Sequence, residues 1–108
     1  MFFNFPELLF RIARIRVPNE ATRKVLLAVY VAADGCEEPF VCLSLRELSI
    51  ASGGTPRPVL NKALKWLDKE GFVSRERSCP NIYYVNWQKL DLVSIPLPVL
   101  PDTYVAHA

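Results

Sequence analysis

Arginine, asparagine and lysine side chains recur at helical spacing between residues 55 and 70. Arg57, Asn61, Lys62 and Lys65 fall on one arc at about 100° per residue, and no carboxylate joins them before Asp68. Arginine and asparagine can pair with base edges in the major groove, and lysine can neutralise phosphate. The pattern predicts a polyanion-binding helix face. The alternative is an ordinary solvated face, since any surface helix is polar outside.

Further candidate donors lie on both sides of this segment. Ser44 and Arg46 precede it, and Arg75 and Arg77 alternate along a predicted strand, so both should point to one face of that strand. Thr55 is predicted to cap the helix, whose first amides can also bind a phosphate. The alternative roles are a cap alone for Ser44 and a solvated strand face for the two arginines.

The sequence lacks the residue patterns of an enzyme. His107 is the only histidine and is one residue from the end, so a nucleophile–histidine pair has no scaffold. Gly53-Gly54 has neither the spacing nor the following lysine of a phosphate loop. Cys36, Cys42 and Cys79 cannot alone form a four-ligand zinc site. We therefore expect no catalytic residues, no metal and no cofactor; redox sensing by Cys79 is a minor alternative.

Length, charge and cysteine content indicate the number of domains and the expected location of the protein. The chain has 108 residues, 51% of them hydrophobic, which is enough for one compact core. Its net charge is only +2, but the segment 44–89 holds eight Lys or Arg against four Asp or Glu. We see no signal peptide and no apolar run of membrane-spanning length. Three unpaired cysteines favour a reducing, cytoplasmic location.

The elements that must position the donors can be read from hydrophobic spacing and caps. Residues 7–16 predict an amphipathic helix with Leu8, Leu9, Ile12 and Ile15 on one side. Residues 20–33 predict a core helix capped by Asn19, and residues 40–43 a short strand.

The second half of the chain predicts two helices and a hairpin. Ser44 and Glu47 form a capping-box pattern for a helix over 45–52, and Gly53-Gly54 ends it. A second helix should start at Thr55-Pro56 and end at Glu70, with Val59 and Trp66 on its core side. Residues 72–78 and 82–87 predict a β-hairpin, with one of Tyr83 and Tyr84 pointing outward. Three prolines after Ile95 predict an extended tail.

This order of elements resembles the winged helix-turn-helix superfamily. The resemblance rests on the segment 44–73, SLRELSIASGGTPRPVLNKALKWLDKEGFV, and covers residues from about 20 to 90. It implies an α+β fold with a three-helix core and a small sheet or wing. With the patterns outside this segment, it divides the chain into an amphipathic N-terminal helix over 1–18, a candidate dimerisation arm, the winged domain over 19–90, and an extended proline-rich tail over 91–108.

The resemblance also implies a function. Sequence-specific binding of double-stranded DNA is expected, through a recognition helix that starts near Thr55 and the basic hairpin after it. A small transcriptional regulator is the first expectation; a replication-initiation module of a plasmid or phage and a winged helix that binds only proteins are the alternatives. The first helix and Phe2, Phe3, Phe5 and Phe10 are more apolar than a solvated terminus should be, so they either cap the domain's own core or form a dimer face; with the apolar tail 95–100, a homodimer is the expectation.

Overall fold

The described part of the chain is an α+β unit with one small sheet. The computed structural model describes residues 5–36 and 38–93. Its elements in chain order are α1 Phe5–Ala13, α2 Glu20–Asp34, β1 Phe40–Leu43, α3 Leu45–Ala51, α4 Arg57–Glu70, β2 Val73–Glu76, β3 Asn81–Val85 and α5 Trp87–Val93. The strands form an antiparallel sheet in the order β1-β3-β2. Among these helices, none has the length and apolar character needed to cross a membrane.

Helix α2 is the centre of the core. Val25, Leu26 and Val29 have no exposed surface, and the helix packs against α1, α3, α4, β1 and β3. Asn19 caps it as predicted, because its side-chain oxygen accepts the amide of Thr22 at 2.8 Å. The remaining elements are therefore arranged around one fixed helix.

Tyr30 links α2 to both ends of the hairpin formed by β2 and β3. Its buried hydroxyl lies 3.0 Å from the carbonyl oxygen of Phe72 and 2.8 Å from that of Asn86, and can donate its proton to either. The Trp87 ring meets the Tyr30 ring edge-on, with centroids 5.0 Å apart. Burial raises the pKa of Tyr30 far above its ordinary value, so the hydroxyl keeps its proton.

Helix α1 is part of the same core. Leu8, Ile12 and Ile15 are buried, as their spacing predicts, but Leu9 is 37% exposed and was wrongly placed on that face. The helix ends at Ala13, three residues earlier than expected. The Arg23 guanidinium of α2 donates to the carbonyl of Ile12 in its last turn and to that of Ile15 beyond it. The apolar side of α1 is thus covered by the protein's own core.

The hairpin confirms the predicted strand alternation. Tyr83 is fully buried, whereas Tyr84 is 40% exposed and packs against Phe40, its partner across β1 and β3. Both hairpin strands are shorter than predicted. The connection 77–80 contains a cis peptide bond between Cys79 and Pro80.

One helix was not predicted. Trp87 was expected to end the hairpin, and residues 91–93 were assigned to an extended tail, but both belong to α5. Asn86 starts this helix: its side-chain oxygen accepts the amide of Lys89 at 3.0 Å. Leu90 is fully buried, so a core contact stabilises a segment too short to be helical alone. Residues 94–108, which hold the rest of the predicted tail, lie outside the described residues.

We predict that Tyr30→Phe lowers the free energy of unfolding by about 1–2 kcal/mol, because it removes a buried hydrogen bond and leaves the ring in place. The loss is moderate because the Phe72 and Asn86 carbonyls also accept backbone amides. Urea denaturation measures it. Tyr84→Phe is the matched control, since the Tyr84 ring is exposed, and equal losses in the two variants would contradict the role given to the Tyr30 hydroxyl.

Candidate nucleic-acid interface

Helix α3 begins at a complete capping box. The Ser44 hydroxyl accepts the amide of Glu47 at 3.0 Å, and the Glu47 carboxylate accepts the amide of Ser44 at 2.9 Å. The amide of Ser44 first, and its hydroxyl second, lower the pKa of Glu47 below its ordinary value. The cap predicted for Ser44 is therefore confirmed. Because the hydroxyl serves here as an acceptor, its own proton can still be donated to a partner outside the chain.

The turn between α3 and α4 is fixed by glycine geometry and buried hydroxyls. Gly53 and Gly54 both have positive φ, at 90° and 85°, which favours glycine at these positions. The amides of Gly54 and Thr55 then bond the Ser49 carbonyl at 2.8 and 3.2 Å. Inside the turn, the Ser52 hydroxyl donates to the Thr55 hydroxyl at 2.8 Å. This network sets the direction in which α4 leaves α3.

The cap predicted for Thr55 is wrong. Pro56 is the residue before α4, no side chain caps the helix, and Arg57 and Pro58 are its first two positions. Thr55 is only 6% exposed, because the two glycines turn its side chain inward towards Ser52. Pro58 is tolerated in this first turn, where a missing amide hydrogen breaks no helical bond.

Helix α4 exposes most of its circumference. Its buried positions, Leu60, Ala63, Leu64 and Leu67, span an arc of only about 100° at the helical rotation per residue. Val59 and Trp66 were predicted to face the core, but both lie at the edge of that arc. Val59 is 36% exposed, and Trp66 is half-buried. The exposed remainder carries all four cations of the helix.

Helix α4 and the hairpin share a cleft, here called the hairpin cleft. It measures about 340 Å³ and is lined by Asn61, Leu64, Lys65, Asp68, Arg75 and Arg77. An Nη1 donor of Arg75 lies 3.4 Å from Oδ1 of Asn61, a long hydrogen bond that joins the strand to the helix. The predicted alternation of Arg75 and Arg77 is consistent with their lining one cleft. Asp68, the first carboxylate that helical spacing places on the cationic arc, also lines the cleft, since seven residues separate it from Asn61 on the same side of the helix.

A second cleft lies between α3 and α4, here called the α3–α4 cleft. It measures about 390 Å³ and is lined by Leu45, Arg46, Ser49, Ile50, Arg57 and Leu60. Arg46 and Arg57 therefore flank one opening, although 11 positions separate them in the sequence. Ile50 was missed as a candidate. It is 68% exposed, more than any other large hydrophobic side chain of the described part. The only sequence signal was an isoleucine off the buried side of a two-turn helix.

The cations of this surface have no acidic partners within the described residues. None of Arg46, Arg57, Lys62, Lys65, Arg75 and Arg77 has a carboxylate oxygen within 4.0 Å in that part of the chain; the ion pairs found there are Arg11–Glu7 and Arg23–Glu20. The hairpin cleft thus holds three cations against the single carboxylate of Asp68, and such an excess of positive charge attracts a polyanion.

The structure gathers most, but not all, of the predicted interface residues. Asn61, Lys65, Arg75 and Arg77 line the hairpin cleft, and Arg46 and Arg57 line the α3–α4 cleft. Ser44 lies at the start of α3. Lys62 is exposed on α4 but lines neither cleft, and Thr55 is buried in the turn. Comparison of the chain with protein-family models, with curated proteins and with solved structures gave no match.

We predict that Thr55→Val lowers the free energy of unfolding by about 1–2 kcal/mol, because it removes the buried hydroxyl that bonds Ser52 and keeps the branched shape. Thr55→Ser, which keeps the hydroxyl, should retain more of the turn network. Thermal denaturation compares the two variants. A fully stable Thr55→Val protein would show that the hydroxyl network does not fix the turn.

Proposed function

We propose that this protein binds double-stranded DNA sequence-specifically, with α4 as the recognition helix of a winged helix-turn-helix domain. The observation that carries the proposal is the hairpin cleft, where Asn61 and Lys65 from α4 meet Arg75 and Arg77 from the hairpin. A helix and a basic hairpin that converge in this way can contact base edges and the neighbouring backbone together.

Each part of the surface has a distinct role in the proposal. The first turns of α4, with Arg57 and Asn61, enter the major groove, where their donors reach guanine or adenine edges. Arg46 and the free hydroxyl proton of Ser44 bind the phosphates on one side of the groove, and the hairpin arginines bind those on the other. The exposed Ile50 beside Arg57 offers an apolar contact to a thymine methyl group.

Asp68 restricts how DNA can lie in this surface. Its carboxylate lines the hairpin cleft together with Lys65, Arg75 and Arg77, and it would repel a phosphate placed against it. It can instead accept a hydrogen bond from the amino group of cytosine. Phosphates should therefore contact the three cations on the side away from Asp68, and base edges should face Asp68 and Asn61.

Transcriptional regulation is the use of DNA binding that we propose. A replication-initiation module would present the same surface, and the sequence of the bound site and its genomic neighbours separates the two. Recovery of bound fragments from genomic DNA should give sites next to promoters; sites confined to a replication origin would support initiation. A winged helix that binds only proteins is disfavoured, because such a protein has no need of the cations around Asn61.

The homodimer remains a proposal about residues that the structure does not describe. Leu8 and Ile12 of α1 are buried in the chain's own core, which leaves Phe2, Phe3 and the apolar tail 95–100 as the expected contact. A twofold dimer would place two copies of α4 about 34 Å apart, one DNA turn. Sedimentation equilibrium of the full chain should give twice the monomer mass of 12.3 kDa.

We predict two kinds of change in duplex binding. Lys65→Ala and Arg75→Ala should weaken binding to all duplexes and reduce the slope of log K against log salt by about one unit each, since each removes a phosphate contact. Arg57→Ala and Asn61→Ala should instead lose about 1–3 kcal/mol of preference for the selected site over other sequences. Fluorescence anisotropy at several salt concentrations measures both quantities.

Lys24→Ala is the charge-matched control for these variants. Lys24 is exposed on α2, beside an apolar groove that contains none of the interface residues, so its loss should leave the salt slope unchanged. Duplex binding that is absent, or that does not depend on salt, in the folded protein would reject the proposal.

A further inference from the structure

A third cleft lies on the flank of α4 that faces away from the hairpin cleft, and it is here called the Trp66 cleft. It measures about 360 Å³, and its lining comes from the segment after α1, the second half of α4, the residue before β2, and α5. This volume is within the range of small-molecule sites, which is roughly 300–1,000 Å³. None of its lining residues belongs to the proposed DNA surface.

The cleft has an aromatic wall. The rings of Trp66 and Phe72 are stacked, with centroids 6.1 Å apart and planes inclined by 17°. Phe72 is buried and Trp66 is half-buried, so the indole supplies the ring surface that remains open to a ligand. Flat aromatic groups stack on such a surface, and nucleobases do so at roughly 1–3 kcal/mol per ring.

Three cations surround this wall. Arg14, Arg16 and Lys89 line the cleft together with a single carboxylate, that of Glu70. None of the three forms an ion pair within residues 5–36 and 38–93; Arg14 lies over the Phe10 ring, and Lys89 lies 5.6 Å from the centroid of the Phe72 ring. With the charge of Glu70 counted, the lining of the cleft therefore has an excess of two positive charges.

The backbone that carries two of these cations is held in place. Arg23 donates to the carbonyls of Ile12 and Ile15, on either side of Arg14 and directly before Arg16. The Ile15 side chain is buried, so both the hydrogen bonds from Arg23 and packing in the core hold this segment in place. A site whose donors are positioned before binding loses less entropy when the ligand arrives.

We infer that the Trp66 cleft binds a small aromatic anion, with the ring stacked on Trp66 and a phosphate or carboxylate held by Arg16, Arg14 and Lys89. Neither half of the site suffices alone. A neutral ring lacks the charge that the cations require, and a bare anion leaves the indole uncovered. This inference does not depend on duplex binding, because the two surfaces share no residue.

Adenosine monophosphate is the first probe, titrated calorimetrically into the full chain without DNA. It should bind about tenfold or more tightly than either adenosine or inorganic phosphate, which is what loss of one charged hydrogen bond or one stacked ring corresponds to. Nicotinate is the second probe, an aromatic ring whose anionic group is a carboxylate instead of a phosphate. The inference is supported if adenosine monophosphate or nicotinate binds more tightly than both adenosine and inorganic phosphate. It is overturned if adenosine or inorganic phosphate alone binds as tightly as these anions.

Arg16→Ala should raise the dissociation constant about tenfold or more, because Arg16 is exposed and its loss removes a donor without a core contact. Lys24→Ala removes the same charge elsewhere and should leave the dissociation constant unchanged. In the unaltered protein, the indole N–H resonance of Trp66 should shift on titration while that of buried Trp87 stays in place. A static Trp66 resonance, or tighter binding of a single-stranded oligonucleotide at the same residues, overturns the inference.

Discussion

The hydrogen bonds of the Tyr30 hydroxyl are the interaction on which the position of the hairpin relative to α2 depends. It bonds carbonyls at the two ends of the hairpin from the middle of the central helix α2. The hairpin can therefore move little relative to α2, and α4 is packed against the same helix. Cooperation between α4 and the hairpin in one cleft requires this fixed relation, because a cleft made of two independently moving elements would not hold Asn61 and Arg75 within bonding distance.

The turn between α3 and α4 imposes the second constraint. Two glycines with positive φ bring the chain around, and the buried hydroxyls of Ser52 and Thr55 close it. Hydroxyl groups in a buried turn must find partners, since an unpartnered one costs about 1–3 kcal/mol. The direction of α4 thus depends on short polar side chains more than on its own weak start, where no side chain caps the helix. The position of Arg57 relative to Arg46 follows from this direction, because Arg57 is the first residue of α4.

Spacing and caps predicted most of the framework, and the errors have physical causes. The bounds of β1 could be predicted from a short apolar run of β-prone residues, and the capping box from the local spacing of Ser44 and Glu47. The burial of Thr55 and the exposure of Val59 could not be predicted, because packing with α2 and α3 sets the inward turn after Gly54 and the narrow buried arc of α4. Helix α5 was missed since the prolines after it outweighed Asn86, a capping signal that the sequence did contain. Of the proposed interface, the residue types and the place of Asp68 on the helix face were predictable, whereas the position of Ile50 beside Arg57 was visible only in three dimensions.

Helix α4 separates two surfaces because its buried arc is narrow. On the hairpin side it presents Asn61 and Lys65, and on the opposite flank it presents Trp66. Both surfaces are cationic, but they differ in what surrounds the charge: the hairpin cleft has an amide and a carboxylate that can distinguish base edges, and the Trp66 cleft has an aromatic wall. The two surfaces share this helix but no side chain, so a substitution in the lining of one leaves the residues of the other in place.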